Sequence, residues 1–390
     1  MEKPAGMPVP RPRLGGEPIA SEAPLGLYVH VPFCSGKCGY CDFTSYPGRE
    51  TWAPRYLAAL EAEAALLPRY GTPDTVYIGG GTPSQLSAAQ ISELFIRLGR
   101  AYPGMRPGEV TFEANPESLD AAKTEVLRAC GVTRLSLGLQ TPDEAILRGI
   151  ARRHTWTDAV RAYDLARRAG KFSVAVDLIC GLPGQSREDF VYGLRQVLAL
   201  APDHVSVYGL DLHPGTPLAE AGYHPDEDAE RDMLESALDT MAEYGFEHYE
   251  ISNFARPGQR SQHNLNYWSG GQYVGLGCGA SGHLAGARWR NHEDLAAYCG
   301  QVERGVRPTT ESERLSGKDK LGERVFLGLR LTEGLEVDPD MEREFAREWQ
   351  DLERRGLVTR SGGRARLTRE GIFLANEAFA SFVAPFEVKL

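Results

Sequence analysis

Apolar residues in the first half of the chain come in short runs that alternate with stretches of helical spacing. LYVHV at 27–31 is an apolar run ended by Pro32, and Tyr56, Leu60, Ala64 and Leu67 then recur at helical intervals. TVYIGGG at 75–81 reads as a buried strand running into a glycine loop. Ile91, Leu94, Phe95 and Leu98 stand at i, i+3, i+4 and i+7, on one face of a helix. The rhythm repeats as strand 109–114, helix 119–130, strand 134–139, helical stretches to 169, strand 172–180, helix 187–200 and strand 204–211. About six strand–helix units at this spacing suit parallel strands with crossover helices. A closed eight-unit barrel usually needs about 250 residues, so an α/β open (β/α)6 partial TIM-type barrel is expected.

The pattern changes towards the C-terminus. Residues 318–330 and 340–355 have helical spacing, and Gly356 ends the second stretch. LVTR (357–360) and RARL (364–367) flank Ser361-Gly362-Gly363, a hairpin signal, and Thr368 can cap a last helix over 369–380. Helices followed by a small hairpin resemble a winged-helix unit. The expected organisation is a disordered tail at 1–24, a barrel at 25–215, a barrel extension at 216–316 and a helical, winged-helix-like domain at 317–390.

Composition narrows the setting. A hydrophobic share of 42% suffices for a buried core. No apolar run approaches the length of a membrane span, although a peripheral membrane contact stays open. The first 24 residues are rich in Pro and Gly without an apolar core, so they read as a tail and not a signal peptide. A net charge of −10 argues against broad nucleic-acid binding. Arg354, Arg355, Arg360, Arg364 and Arg366 therefore read as a solvated face of a lid or docking domain in preference to a DNA-binding one.

Chemistry concentrates in CSGKCGYC, where Cys34, Cys38 and Cys41 are spaced C-x3-C-x2-C. Three thiolates can converge on one inorganic centre, and Phe43 stands where a further cysteine could have been. Structural zinc wants four closed ligands, and simple electron-transfer clusters usually have four cysteines. Three thiolates on a 4Fe–4S cube leave one iron open to a small chelating molecule. A zinc knot completed by His30 is the plainer alternative, without the usual paired-ligand motif. Cys130, Cys180, Cys278 and Cys299 are scattered singly, which is no disulfide framework, and an oxygen-sensitive cluster points to a reducing, cytoplasmic setting.

The other motifs each follow a strand, where parallel barrels bind ligands. GGGTPS (79–84) closes strand two; Glu113, Asn115 and Pro116 close strand three; Gln140 closes strand four; Asp177 with Gly181-Leu182-Pro183 closes strand five. A glycine loop lets backbone approach a ligand closely, and no Gly-Lys-Ser/Thr follows to make it a Walker loop. A second run, Gly277-Cys278-Gly279-Ala280-Ser281-Gly282, matches G-x-G-x-x-G. It lacks a bracketing strand–helix unit and reads as a packed turn or a close approach to a ligand.

The cysteine spacing resembles the radical S-adenosylmethionine (SAM) superfamily, which implies that the amino and carboxylate groups of SAM close the fourth iron. Tyr28-Val-His-Val-Pro-Phe-Cys34, GGGTPS, TFEANPESL, RLSLGLQ and VDLICGLPGQ together resemble its coproporphyrinogen dehydrogenase-like branch over roughly residues 25–330. That resemblance implies SAM contacts from Tyr28, Tyr40, Gly80 and Glu113, and further SAM contacts from Gly81, Thr82, Gln140, Arg152 and Asp177. An Arg152–Asp177 structural ion pair is the bland reading of those two residues. Within the branch, Phe43 departs from the C-x-C ending of the oxygen-independent coproporphyrinogen III dehydrogenase. CDF and QHNLNYW are instead similar to the branch's haem chaperones. His263, Asn264, Tyr267 and Trp268 then become candidate haem contacts, because an imidazole can ligate iron and aromatic faces suit a porphyrin. The resemblance thus implies a carrier that binds haem, a 4Fe–4S cluster and SAM and passes haem to an acceptor protein. The alternative is the decarboxylating dehydrogenase of porphyrin biosynthesis.

Overall fold

Alternation along the strands decides what fills the interior. The computed structural model describes residues 24–383 apart from Arg69 and Lys171, so the tail expected at 1–24 lies almost wholly outside the described residues. In β1 (Leu25–Val31), Leu25, Leu27, Val29 and Val31 point one way and Gly26, Tyr28 and His30 the other. The same two-residue period runs through β2 (Thr75–Gly80), β3 (Glu109–Ala114), β4 (Arg134–Gln140), β5 (Ser173–Cys180) and β6 (His204–Gly209). Their apolar sets form one core with the crossover helices. Their other face carries Tyr77, Glu113, Ser136, Asp177, Ser206 and Tyr208, a polar interior suited to a ligand.

All six strands pair in parallel and in chain order. The crossover helices start where local chemistry lets them. Ser87 with Gln90, Thr155 with Asp158 and Ser186 with Asp189 form reciprocal capping boxes, each cap stabilising by about 1 kcal/mol.

The sheet then extends at both ends. A ribbon of β7 (Glu247–Glu250) and β8 (Asn253–Ala255) joins β6 in antiparallel fashion. On the other side, β9 (Gln272–Leu276) pairs in parallel with the free edge of β1. Antiparallel strands β10 (Ser281–Leu284), β11 (Ala287–Asn291) and β12 (Thr309–Glu313) follow. The result is an open sheet of 12 strands, not a closed barrel.

Two buried carboxylates tie distant segments to this sheet. Glu63, inside the helix Ala53–Leu66, accepts from the Gly277 amide at 2.8 Å, the Tyr298 hydroxyl at 2.6 Å and Asn291 Nδ2. Burial pushes its carboxyl up to about 7. Gly277 of the second glycine run is therefore clamped by Glu63 in a packed turn, while Gly279 and Ser281 line a surface cleft. At the amino ends of the strands, Glu109 pairs with Arg134 at 3.2 Å and accepts from Ser261 Oγ and the amides of Gln262 and His263. This holds the N-terminus of the helix Gln262–Trp268, where a carboxylate also suits the helix dipole.

A second core gathers around Trp349, Phe345, Leu352 and Phe379. Strands β13 (Leu335–Glu336), β14 (Val358–Ser361) and β15 (Arg364–Leu367) form a small sheet there. Gly362 and Gly363 both have positive φ, as a two-residue hairpin turn of the favoured kind requires. Thr368 caps as expected, but the last helix breaks at Leu374 into Arg369–Phe373 and Ala375–Ala380. Arg354, Arg355, Arg360 and Arg364 each pair with a carboxylate of the same C-terminal region.

Candidate functional site

The carboxyl ends of β1 to β5 bring most of the sequence-derived residues into one place. Cys34 ends a short extended piece after Pro32, and the loop is pinned from several sides. Tyr46 N–H donates to Pro32, Gly39 N–H to Ile150, and Leu218 N–H to Gly39. Cys34 Sγ lies 3.2 Å from Thr82 Oγ1 in the glycine loop. Asn115 Nδ2 donates to the same hydroxyl at 3.0 Å. Arg152 donates to Asn115 Oδ1 at 2.9 Å, to the Gly138 carbonyl, and reaches Cys38 Sγ at 3.7 Å. Burial opposes the charge of this guanidinium, yet Tyr40, Cys38 and Glu117 beside it hold its pKa above the usual value. Cys34, Cys38, Thr82, Asn115 and Arg152 thus form one connected cradle. Arg152 makes no ion pair with Asp177, which instead accepts from Ser136 Oγ at 3.1 Å.

Cys34, Cys38 and Cys41 share one loop, and Thr82 and Arg152 reach the sulfurs of the first two. Among the described residues, no three His, Cys, Asp or Glu side chains are gathered closely enough to hold one ion. His30, the fourth ligand of the zinc alternative, is also engaged. Its Nε2–H donates to the Thr44 carbonyl at 2.8 Å, so Nδ1 accepts from the Tyr28 hydroxyl at 3.0 Å. Burial pushes the imidazole down to about 4.

Beside the cysteines, Glu113 lies under the glycine loop. It accepts from Tyr77 OH at 2.6 Å and from the Gly80 amide at 3.2 Å. Burial raises its carboxyl to about 7, and Asp177 adds to the effect. Burial likewise raises Asp177. Gly80 has φ +117°, and a Cβ there would fall 2.7 Å from the His30 ring, so only glycine fits. Gln140 holds a left-handed φ of 65° at the rim, a strain of the kind that collects at functional sites. Tyr40 packs against the satellite cluster around Ile146, Ile150 and Leu182. Tyr77 was missed by sequence reading, although its inward phase in TVYIGG could have marked it.

The candidate haem residues do not share one environment. All four lie on the helix Gln262–Trp268. His263 is fully buried, with Nδ1 bonded to Thr75 Oγ1 and Nε2 to Tyr267 OH, both at 2.8 Å. In this arrangement both nitrogens of the expected iron ligand are occupied inside the fold. Asn264 is half-buried, and its amide is held by Ser261 Oγ. Tyr267 and Trp268 line a cleft of ≈ 420 Å³ with Phe43 and Thr44 of the cysteine loop. Phe43 is 62% exposed.

Similarity to known proteins falls on two segments of the chain. Residues 28–196 match the family model of the radical SAM superfamily, and residues 315–374 that of the HemN C-terminal domain. The solved structure described as coproporphyrinogen III oxidase (HemN) from Escherichia coli superimposes with a TM-score of 0.83 at 26% identity, over 93% of this chain and 91% of that one. Fold and site together define a radical SAM protein, and that class implies a 4Fe–4S cluster and SAM. Heme chaperone HemW of Bacillus subtilis is 36% identical over 91% of this chain and 98% of its own length. HemW of Escherichia coli is 38% identical over 67% of this chain and 70% of its own length. A mitochondrial radical SAM domain-containing protein 1 of Mus musculus is 34% identical over 83% and 78%. The chain belongs to the heme chaperone HemW family.

Proposed function

We propose that this protein is a cytoplasmic haem carrier that holds haem and delivers it to an acceptor protein. The observation that carries the reading is its similarity to HemW of Bacillus subtilis, which covers 91% of this chain and 98% of that one. Cys34, Cys38 and Cys41 would hold the 4Fe–4S cluster, with Arg152 and Thr82 donating to the sulfurs. Tyr28, Tyr40, Gly80 and Glu113 would contact SAM, with Gly81, Thr82, Gln140, Arg152 and Asp177 completing that pocket. Bound together, these cofactors supply one-electron chemistry that the protein only positions. Arg152 is placed to hold a carboxylate and Glu113 to accept from an amino or ribose hydroxyl group. Tyr267 and Trp268 offer aromatic faces to a porphyrin. Among the described residues no helix is long and apolar enough to cross a membrane.

The second reading, oxidative decarboxylation of coproporphyrinogen III, draws on the HemN-like fold. Anaerobically reconstituted protein offered haem and coproporphyrinogen III separates the two. The expected result is stoichiometric haem retained on gel filtration and released to apomyoglobin, with no protoporphyrinogen formed. Decarboxylation with no haem retained would install the dehydrogenase.

The SAM pocket has its own test. Gly80→Val forces side-chain carbons against the His30 ring and should weaken SAM binding about tenfold or more, with cluster iron unchanged. Anaerobic calorimetry showing unaltered affinity would remove the pocket.

A further inference from the structure

The cleft beside the cysteine loop carries a set of side chains that sequence reading did not assign. On the sheet extension, Tyr273 stands opposite His283, and His283 opposite Arg288. Arg290 lies two residues beyond Arg288, on the same face of β11 and about 7 Å away. All four line the cleft with Phe43 and Tyr267. One face of the sheet thus offers an imidazole, two guanidiniums and an aromatic ring. Tyr267 and Tyr273 stand edge to face with ring centroids 4.6 Å apart.

Two of the chain's 9 histidines line this cleft. His30 has both nitrogens bonded, as described above. His283 differs: Nδ1–H donates to the Gly271 carbonyl at 3.4 Å, and Nε2 has no hydrogen-bond partner among the described residues. That bond selects the tautomer whose Nε2 carries the free lone pair. A backbone carbonyl accepting from the other ring nitrogen is the usual support of a metal-bound histidine. Burial, with Arg288 and Lys320 nearby, lowers the pKa of this imidazole and favours the neutral form that ligates iron. The arginines are held but not consumed. Arg288 pairs with Glu323 at 2.5 Å while 31% exposed, and Arg290 pairs with Glu293 while half exposed.

We propose that haem sits in this cleft, with His283 Nε2 as its axial ligand and Arg288 and Arg290 paired to its two propionates. The assignment rests on the haem-carrier reading and deepens it by giving His283 the role expected of His263. The perpendicular rings of Tyr267 and Tyr273 supply an apolar wall for the macrocycle. A cleft of ≈ 420 Å³ is within the usual range for a small-molecule site of about 300–1,000 Å³. Because it is open, an edge of the macrocycle stays accessible to an acceptor, and a single side-chain ligand is exchangeable.

The test titrates haem into cluster-loaded protein and follows the Soret band by difference spectroscopy. Wild type should show a histidine-ligated spectrum. His283→Ala should lose that spectrum and bind haem about tenfold or more weakly, and free imidazole should restore the band. His224→Ala, exposed and outside the cleft, should change neither. The Arg288→Gln/Arg290→Gln double variant should weaken haem about tenfold or more while leaving affinity for haem dimethyl ester unchanged, since the ester has no carboxylates to pair. Arg290→Gln at the half-exposed rim carries this second arm alone if either other variant fails to fold. Wild type that binds no haem sinks the carrier reading and the assignment with it. Wild type that binds haem, with the His283→Ala spectrum unaltered or Arg290→Gln equally tight for haem, leaves the reading standing and overturns the assignment.

Discussion

Alanine in place of any one of Cys34, Cys38 or Cys41 should leave a colourless protein that has lost most of its iron and most of its SAM affinity. Alanine at Cys130, Cys180, Cys278 or Cys299 should leave the iron content unchanged. The contrast follows from where the sulfurs lie. The first three share one loop at the carboxyl ends of the strands, backed by the donors of Thr82 and Arg152. Cys180, Cys278 and Cys299 are buried singly in the apolar core, away from that loop. Iron assay and the visible spectrum after anaerobic reconstitution decide the matter. A requirement for any of the four scattered cysteines would end the three-thiolate account.

Glu109→Ala should cost about 3–5 kcal/mol of stability, because it strips a buried charge of its carboxylate partner. Arg134 would remain 5% exposed without its carboxylate. Ser261 Oγ and the amides of Gln262 and His263 would lose their acceptor in the same stroke. Glu109→Gln, which keeps an acceptor oxygen, should fall between wild type and alanine. Denaturant unfolding monitored by fluorescence reads the change. An unaltered midpoint would show that the start of the helix Gln262–Trp268 is not fastened by this carboxylate.

What the sequence made legible was local. Apolar runs and helical spacing locate β1 to β6 and their crossover helices, because each element buries a stripe set by its own period. The loops that follow them carried the site, since a parallel sheet delivers all its carboxyl ends to one side. What stayed hidden depends on partners far along the chain. QYVGL at 272–276 has no alternation to distinguish it, and its membership of the parallel series comes only from pairing with β1. Glu63 sits in a helix where a carboxylate ordinarily faces water, yet its partners lie 214 to 235 residues away. The partners of His263 stayed hidden for the same reason. Its aromatic neighbours in sequence suggested an open ligand, whereas Thr75, 188 residues distant, fixes it inside. His283 gave no signal at all, because its meaning comes from the strand opposite and from the Gly271 carbonyl.

Asp42, Phe43 and Thr44 follow Cys41 directly and also form part of the cleft wall. A cluster on the cysteines and a ligand in the cleft would press on the same short stretch of backbone. Thr44 also anchors His30, and through it Tyr28, so one chain of hydrogen bonds joins the two pockets. Thermodynamic reciprocity then binds the two: whatever factor the cluster imposes on cleft affinity, cleft occupancy must impose on the cluster. A protein purified in air and stripped of iron is, by that measure, a different receptor from the intact one. Oxygen exposure would then set how tightly the cargo is held.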